Sequence, residues 1–236
     1  GAESLNGRLG MDYTMNHIFM TTGAAGALAH ALRAVTKPGD EVLTFAPYFP
    51  EYGPYVEGAG DVLKVVPANT EDFQINFAAF EEMLTDKVAA VLINTPNNPS
   101  GIAYSTKTIE KLAEVLTRKQ KEYGHDIFLI SDEPYREIVF AGADAPYPSK
   151  FYDNTLSCYS FSKSLSLPGE RIGYVAVNPR CTDADLLVAI MAQISRGTGH
   201  NCPSSSVQLA VAKVLDQTSD LSVYETNMNI LYDALT

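Results

Sequence analysis

At 236 residues, with 46% hydrophobic and 19% charged residues, the sequence has the composition of a folded globular chain and the length for a sizeable core. A formal net charge of −11 leaves no electrostatic footprint for nucleic acid or an anionic membrane, and the longest apolar runs, such as VAAVLI, are far too short to span a bilayer. Three widely spaced cysteines without a C-x-x-C pair, and four scattered histidines without an i, i+4 pair, argue against a disulfide framework or a metal site and fit a reducing cytoplasm.

In chain order, AAGALAHALRAV (24–35) has helical periodicity and is followed by strand-like runs at 41–46 (EVLTFA), 61–68 (DVLKVVPA) and 88–94 (VAAVLIN). A long amphipathic pattern at 106–124 predicts a helix capped by Ser105 or Thr106 and stopped at Gly124. Further strands are predicted at 126–131 (DIFLIS), 155–160 (TLSCYS) and 171–177 (RIGYVAV). The remainder reads as helix with one Gly/Pro/Ser break at 197–206, and it closes on an apolar stripe (Leu221, Tyr224, Met228, Leu231, Leu235) without a visible partner. The strands are continuous apolar runs, so both of their faces must be covered. That predicts an α/β fold, three-layer α/β/α with a mostly parallel central sheet, whose ligands bind beyond the carboxyl ends of the strands.

The unusual residues cluster at those ends. Gly23, Ala24 and Ala25 open a helix with its backbone N–H groups bare, which is the local chemistry of an anion site, although close packing alone also explains small residues there. Tyr48 and Phe49 follow the strand at 41–46, where one ring could stack on a flat ligand or simply fill a turn. In NTPNNPSG two prolines force a rigid turn, and Asn97 and Asn98 offer directed amides or plain turn chemistry. Asp132 ends an apolar strand, with Tyr135 beyond a proline; a carboxylate there needs a cationic partner to stay charged. In SFSKSLSLPGERIGY, Lys163 and Arg171 stand eight residues apart in a Ser-rich turn that includes Ser160. A desolvated lysine beside another cation becomes an amine nucleophile suited to a carbonyl. An anion cradle, a stacking ring, a carboxylate with a phenol, and an amine together describe a flat, phosphorylated, aldehyde-bearing pyridine, pyridoxal 5′-phosphate.

The segments TTGAAGAL, APYF, NNPSG, SDEPY and SFSK-x7-R-x-G, in this order and spacing, resemble the class I aminotransferases of PLP-dependent fold type I, the aspartate aminotransferase-like group, from about Phe19 to about Leu215. The resemblance implies that Lys163 forms the internal aldimine and shuttles the proton between Cα and C4′. It implies that Asp132 keeps the pyridine nitrogen protonated, and that Tyr135 and Asn98 contact the ring oxygen, Asn98 reaching the substrate carboxylate as well. Phe49 takes the stacking position. Gly23, Ala24 and Ala25 form the phosphate cradle, with Ser160 and Arg171 adding a hydroxyl and a bidentate guanidinium.

Residues 1–215 then correspond to the large, cofactor-binding domain, and 216–236 to the start of the helix leading to a small C-terminal domain. The family's N-terminal arm, the small domain and the arginine that grips the substrate α-carboxylate have no counterpart here, so segments are expected to be missing at both ends. The implied activity is amino-group transfer between an amino acid and a 2-oxo acid by a cytoplasmic enzyme, homodimeric when full length, with no nucleic-acid or membrane partner. Two alternatives share these motifs: another fold type I chemistry, such as a C–S β-lyase or decarboxylase, and a non-catalytic ligand-sensing domain of a regulator.

Overall fold

The apolar runs assemble into one sheet of seven strands among the described residues, in the order β1-β7-β6-β5-β4-β2-β3. The structure is a computed structural model and describes residues 2–140 and 142–236. The strands are β1 (Ile18–Thr21), β2 (Glu41–Phe45), β3 (Val62–Val66), β4 (Val88–Asn94), β5 (Phe128–Asp132), β6 (Thr155–Ser160) and β7 (Gly173–Val177). The helices are α1 (Ala2–Leu9), α2 (Gly23–Val35), α3 (Tyr52–Ala59), α4 (Phe77–Met83), α5 (Thr106–Tyr123), α6 (Phe161–Ser164), α7 (Ala184–Gly197), α8 (Ser205–Ala212) and α9 (Ser222–Leu235). Strands β2 to β6 pair in parallel, whereas β7 runs antiparallel to both β6 and β1.

Alternation along each strand feeds two cores. Val91 and Ile93 of β4 pack on one face with Leu112 and Leu116 of α5 and Phe80 of α4. Ala90 and Leu92 pack on the other with Leu28 and Leu32 of α2, Tyr52 and Val56 of α3, and Met191 of α7. Both faces are therefore covered, as the continuous apolar runs required. A third cluster joins α1 and α8 to Tyr159, Phe161 and Tyr174 at the antiparallel edge. No helix among the described residues is long and apolar enough to cross a membrane.

The helix expected at 106–124 forms as read: the Ser105 side chain accepts from the Thr108 N–H, and Gly124 closes it at φ +74°. Several elements depart from the reading: α1 and α4 are not among the predicted elements, and the tail is broken a second time between α8 and α9. β1 is only four residues long and too short for a periodic signal. α3, YGPYVEGA, has two glycines and a proline in eight residues, so its intrinsic propensity is poor; burial of Tyr52 and Val56 compensates. The strand expected from 171 begins at Gly173, because Arg171 lies in the left-handed region at φ 49°, ψ 55°. α9 has no buried residue, which leaves the apolar side chains of its stripe exposed.

Candidate active site

Parallel pairing aligns three polar strand ends. Asn94 of β4 is in register with Asp132 of β5, and Asp132 with Cys158 of β6, two residues before Ser160. Above this edge lies a cleft of about 270 Å³, lined by Ala24, Ala25, Phe49, Asn98, Asp132, Tyr135, Ser160, Lys163 and Arg171. Of the residues given a cofactor role by the resemblance, Gly23 alone is outside this lining. It sits directly behind: a Cβ on Gly23, at φ +72°, would lie 3.0 Å from Arg171 Nη2. Only a glycine leaves the guanidinium that room.

The cleft has a cationic end. Thr22 makes no side-chain cap on α2 and the first turn holds no acidic residue, so the leading N–H groups of this 13-residue helix stay available to an anion. Arg171 stands over them with Nη1 donating to the Pro168 carbonyl at 2.8 Å. Its left-handed backbone is a strained conformation for a residue with a side chain, held here beside the anion cradle. Ser160 caps α6, its side chain accepting from the Ser162 N–H, and Ser162 also faces the cleft.

The same cleft holds a buried carboxylate. Asp132 is 5% exposed; Oδ2 accepts from the Tyr52 hydroxyl at 2.7 Å, and Oδ1 has no hydrogen-bond partner among the described residues. Burial pushes its carboxyl from the ordinary 3.8 up to about 7, with the Tyr52 bond pulling it down and the Glu133 charge adding to the rise. Burial first, then the Asp132 charge, raises Tyr135, while the Asn98 side chain opposes the shift. Lys163 Nζ lies 5.8 Å from the centroid of the Tyr135 ring.

The two asparagines of the turn divide their work. Asn98 lines the cleft and its N–H is held by Asn94 Oδ1 at 2.6 Å, while Asn94 Nδ2 donates to the Asp132 carbonyl at 2.9 Å. Asn97 shapes the turn instead, accepting from the Ser100 N–H and hydroxyl at 2.9 and 2.7 Å. Phe49 faces the cleft, whereas Tyr48 stacks on Tyr52 with centroids 6.3 Å apart. Sequence reasoning missed Tyr52, Asn94 and Ser162. Asn94 carries the signal that revealed Asp132, a polar residue closing an apolar strand, and Ser162 lies inside the SFSK segment itself. Tyr52 had no such signal, since its partner is 80 residues away.

Removing the Tyr52 hydroxyl strips the buried carboxylate of its one side-chain donor among the described residues. Tyr52→Phe is expected to lower the stability of the cofactor-free protein by about 1–3 kcal/mol above pH 7, where Asp132 is charged. The deficit should shrink as the pH falls through 7 and the carboxyl takes up a proton. Urea unfolding of both proteins at pH 5 and pH 8 checks this; a deficit of equal size at both values contradicts it.

The sequence model described as aminotransferase class I and II matches residues 2–233. The chain belongs to this family. It is 34% identical over 172 residues to a bifunctional aspartate aminotransferase and glutamate/aspartate-prephenate aminotransferase of Petunia hybrida, covering 71% of this chain and 35% of the relative. It is 35% identical over 180 residues to a probable aspartate/prephenate aminotransferase of Aquifex aeolicus, covering 74% and 44%. The crystal structure of an amino transferase from Eubacterium rectale superposes with a TM-score of 0.96 at 48% identity, over 99% of this chain and 59% of that one. The chain thus spans about half the length of the relatives it matches.

Aminotransferases of class I depend on pyridoxal phosphate. The geometry of this chain fits that group on its own terms. The bare N-terminus of α2 with Arg171 suits a phosphate, and the unpartnered Asp132 Oδ1 suits a protonated ring nitrogen. Lys163 lines the same cleft.

Proposed function

We propose that this chain is the cofactor-binding part of a pyridoxal phosphate-dependent aminotransferase that moves an amino group between an amino acid and a 2-oxo acid. The single observation that carries the proposal is the presence in one cleft of a buried carboxylate, one oxygen unpartnered among the described residues, a lysine and an anion cradle. Bound there, pyridoxal phosphate supplies an aldehyde that captures an amine and a ring that withdraws electrons from it.

The chain's residues have these proposed tasks. Ala24 and Ala25 give backbone N–H groups, Ser160 a hydroxyl and Arg171 a bidentate guanidinium to the phosphate, with Gly23 leaving space for the guanidinium. Phe49 covers one ring face. Asp132 holds a proton on the ring nitrogen through Oδ1, with Tyr52 fixing the other carboxylate oxygen. Tyr135 and Asn98 orient the ring oxygen, and Asn98 reaches the substrate carboxylate. Lys163 Nζ is the amine that would hold the cofactor's aldehyde, and it would be the group to accept a proton at the substrate Cα.

Residues 1–215 are proposed as the large domain and 216–236 as the start of a connection to a small C-terminal domain. The unburied α9 and the span relative to the Eubacterium rectale structure support that division. A cytoplasmic homodimer is the assembly proposed. The test is an assay of the full-length protein with pyridoxal phosphate, amino-acid donors and 2-oxoglutarate. Glutamate formation matched one-for-one by 2-oxo acid is expected; release of ammonia or carbon dioxide without glutamate would instead support a lyase or decarboxylase.

A further inference from the structure

Lys163 sits on α6, a helix of one turn, which has little stability of its own because a single turn fixes several dihedrals for few hydrogen bonds. Something outside the turn must therefore set where its amine stands. The next residue, Ser164, is 2% exposed, and its hydroxyl lies 2.7 Å from the Tyr159 hydroxyl. The Tyr159 hydroxyl in turn lies 2.7 Å from Glu137 Oε2, and Glu137 Oε1 is paired with Arg8 at 2.7 Å. A carboxylate only accepts, so the single phenolic proton points to Glu137 and Ser164 donates to Tyr159. Burial, with the Glu137 charge, raises the Tyr159 phenol, which keeps it a donor.

The Tyr159 ring cannot swing away. The Arg136 guanidinium lies 4.7 Å from its centroid, with Phe161 and Tyr174 rings at 5.2 and 5.0 Å. Glu137 belongs to the segment that carries Asp132 and Tyr135, only two residues beyond the latter. From the far side, the Ser219 N–H and hydroxyl donate to the Ser164 carbonyl at 2.6 and 3.0 Å.

We propose that Ser164, Tyr159 and Glu137 form a hydrogen-bonded strut that positions the Lys163 turn against the Asp132–Tyr135 segment. None of the three lines the cleft, so they are positioning residues. The proposal rests on the role given to Lys163 above. Displacing a reacting amine by a fraction of an ångström to an ångström costs rate steeply, so a strut that sets this distance acts on turnover more than on substrate binding.

The test uses Tyr159→Phe, which keeps the ring packing, with Ser164→Ala and the double variant, each loaded with pyridoxal phosphate. Tyr159→Phe is expected to lower kcat about tenfold with KM nearly unchanged, and to change the visible circular dichroism of the bound cofactor. The double variant should be no worse than Tyr159→Phe alone, because the same link is already broken. In the cofactor-free proteins, the rate of reductive methylation at Lys163 should change about threefold or more between parent and Tyr159→Phe, with the other lysines unaffected. A purely structural role would lower the Tm and leave the dichroism, kcat and the Lys163 labelling rate at parental values, and that result, or additive losses in the double variant, overturns the strut. If the parental protein takes up no cofactor on Lys163, the proposed function fails, and the labelling rates still decide the strut.

Discussion

Lys163→Ala is expected to abolish the visible absorbance of the covalently bound cofactor and to lower transamination by about a thousandfold or more. The substitution removes both the covalent anchor and the group that accepts the Cα proton. It leaves the phosphate end intact, since Ala24, Ala25 and Arg171 lie on α2 and before β7 rather than on the lysine turn. The variant should therefore still bind pyridoxal phosphate reversibly, with the spectrum of a free aldehyde. Equilibrium dialysis and a visible spectrum check this pair of outcomes. Parental turnover by Lys163→Ala would remove the lysine from the chemistry.

Asp132→Asn is expected to cost roughly a hundredfold or more in rate, the scale of losing one preorganised charge at a reacting group. It should also change stability in the opposite sense. Asp132 in the cofactor-free fold titrates near 7 against an ordinary 3.8, so between these values the folded chain holds a proton that the unfolded chain has shed. Stability from this group is fully present below pH 4 and is lost as the pH rises through 7. An amide has no such titration and can still accept from Tyr52. Cofactor-free Asp132→Asn should accordingly match the parent near pH 4 and exceed it at pH 8 by on the order of 2–4 kcal/mol. A site that destabilises its own protein until the ligand cation arrives is the trade between stability and activity expected of a preorganised charge. Equal stability at pH 8, with equal turnover, would contradict the assigned role.

Much of this arrangement is legible in the residues. β4 and β6 coincide with the charge-free runs at 88–94 and 155–160, because strands buried on both faces tolerate no charged residue. Asp132 could be picked out as the charge that closes β5, and Ser160 through the SFSK segment. Less could be read where tertiary contacts override local preference. α3 forms in spite of its glycines and proline, driven by Tyr52, and the Tyr52–Asp132 bond joins elements that no local pattern connects. The antiparallel course of β7 follows from the left-handed Arg171 and from Gly173, where a Cβ would collide with the Tyr159 carbonyl oxygen and lie 3.0 Å from the Gly23 Cα. That close approach brings the start of β7, the end of β6 and the N-terminus of α2 together. Ser164, Tyr159 and Glu137 look like ordinary turn, strand and loop residues until the fold stacks them.

The most direct test of the account is borohydride reduction of the protein after addition of pyridoxal phosphate, followed by peptide mass mapping. The account predicts a stoichiometric pyridoxyl label on Lys163 that is absent from Lys163→Ala. A label carried instead by another lysine, such as Lys150 or Lys213, with Lys163 unmodified, would contradict it.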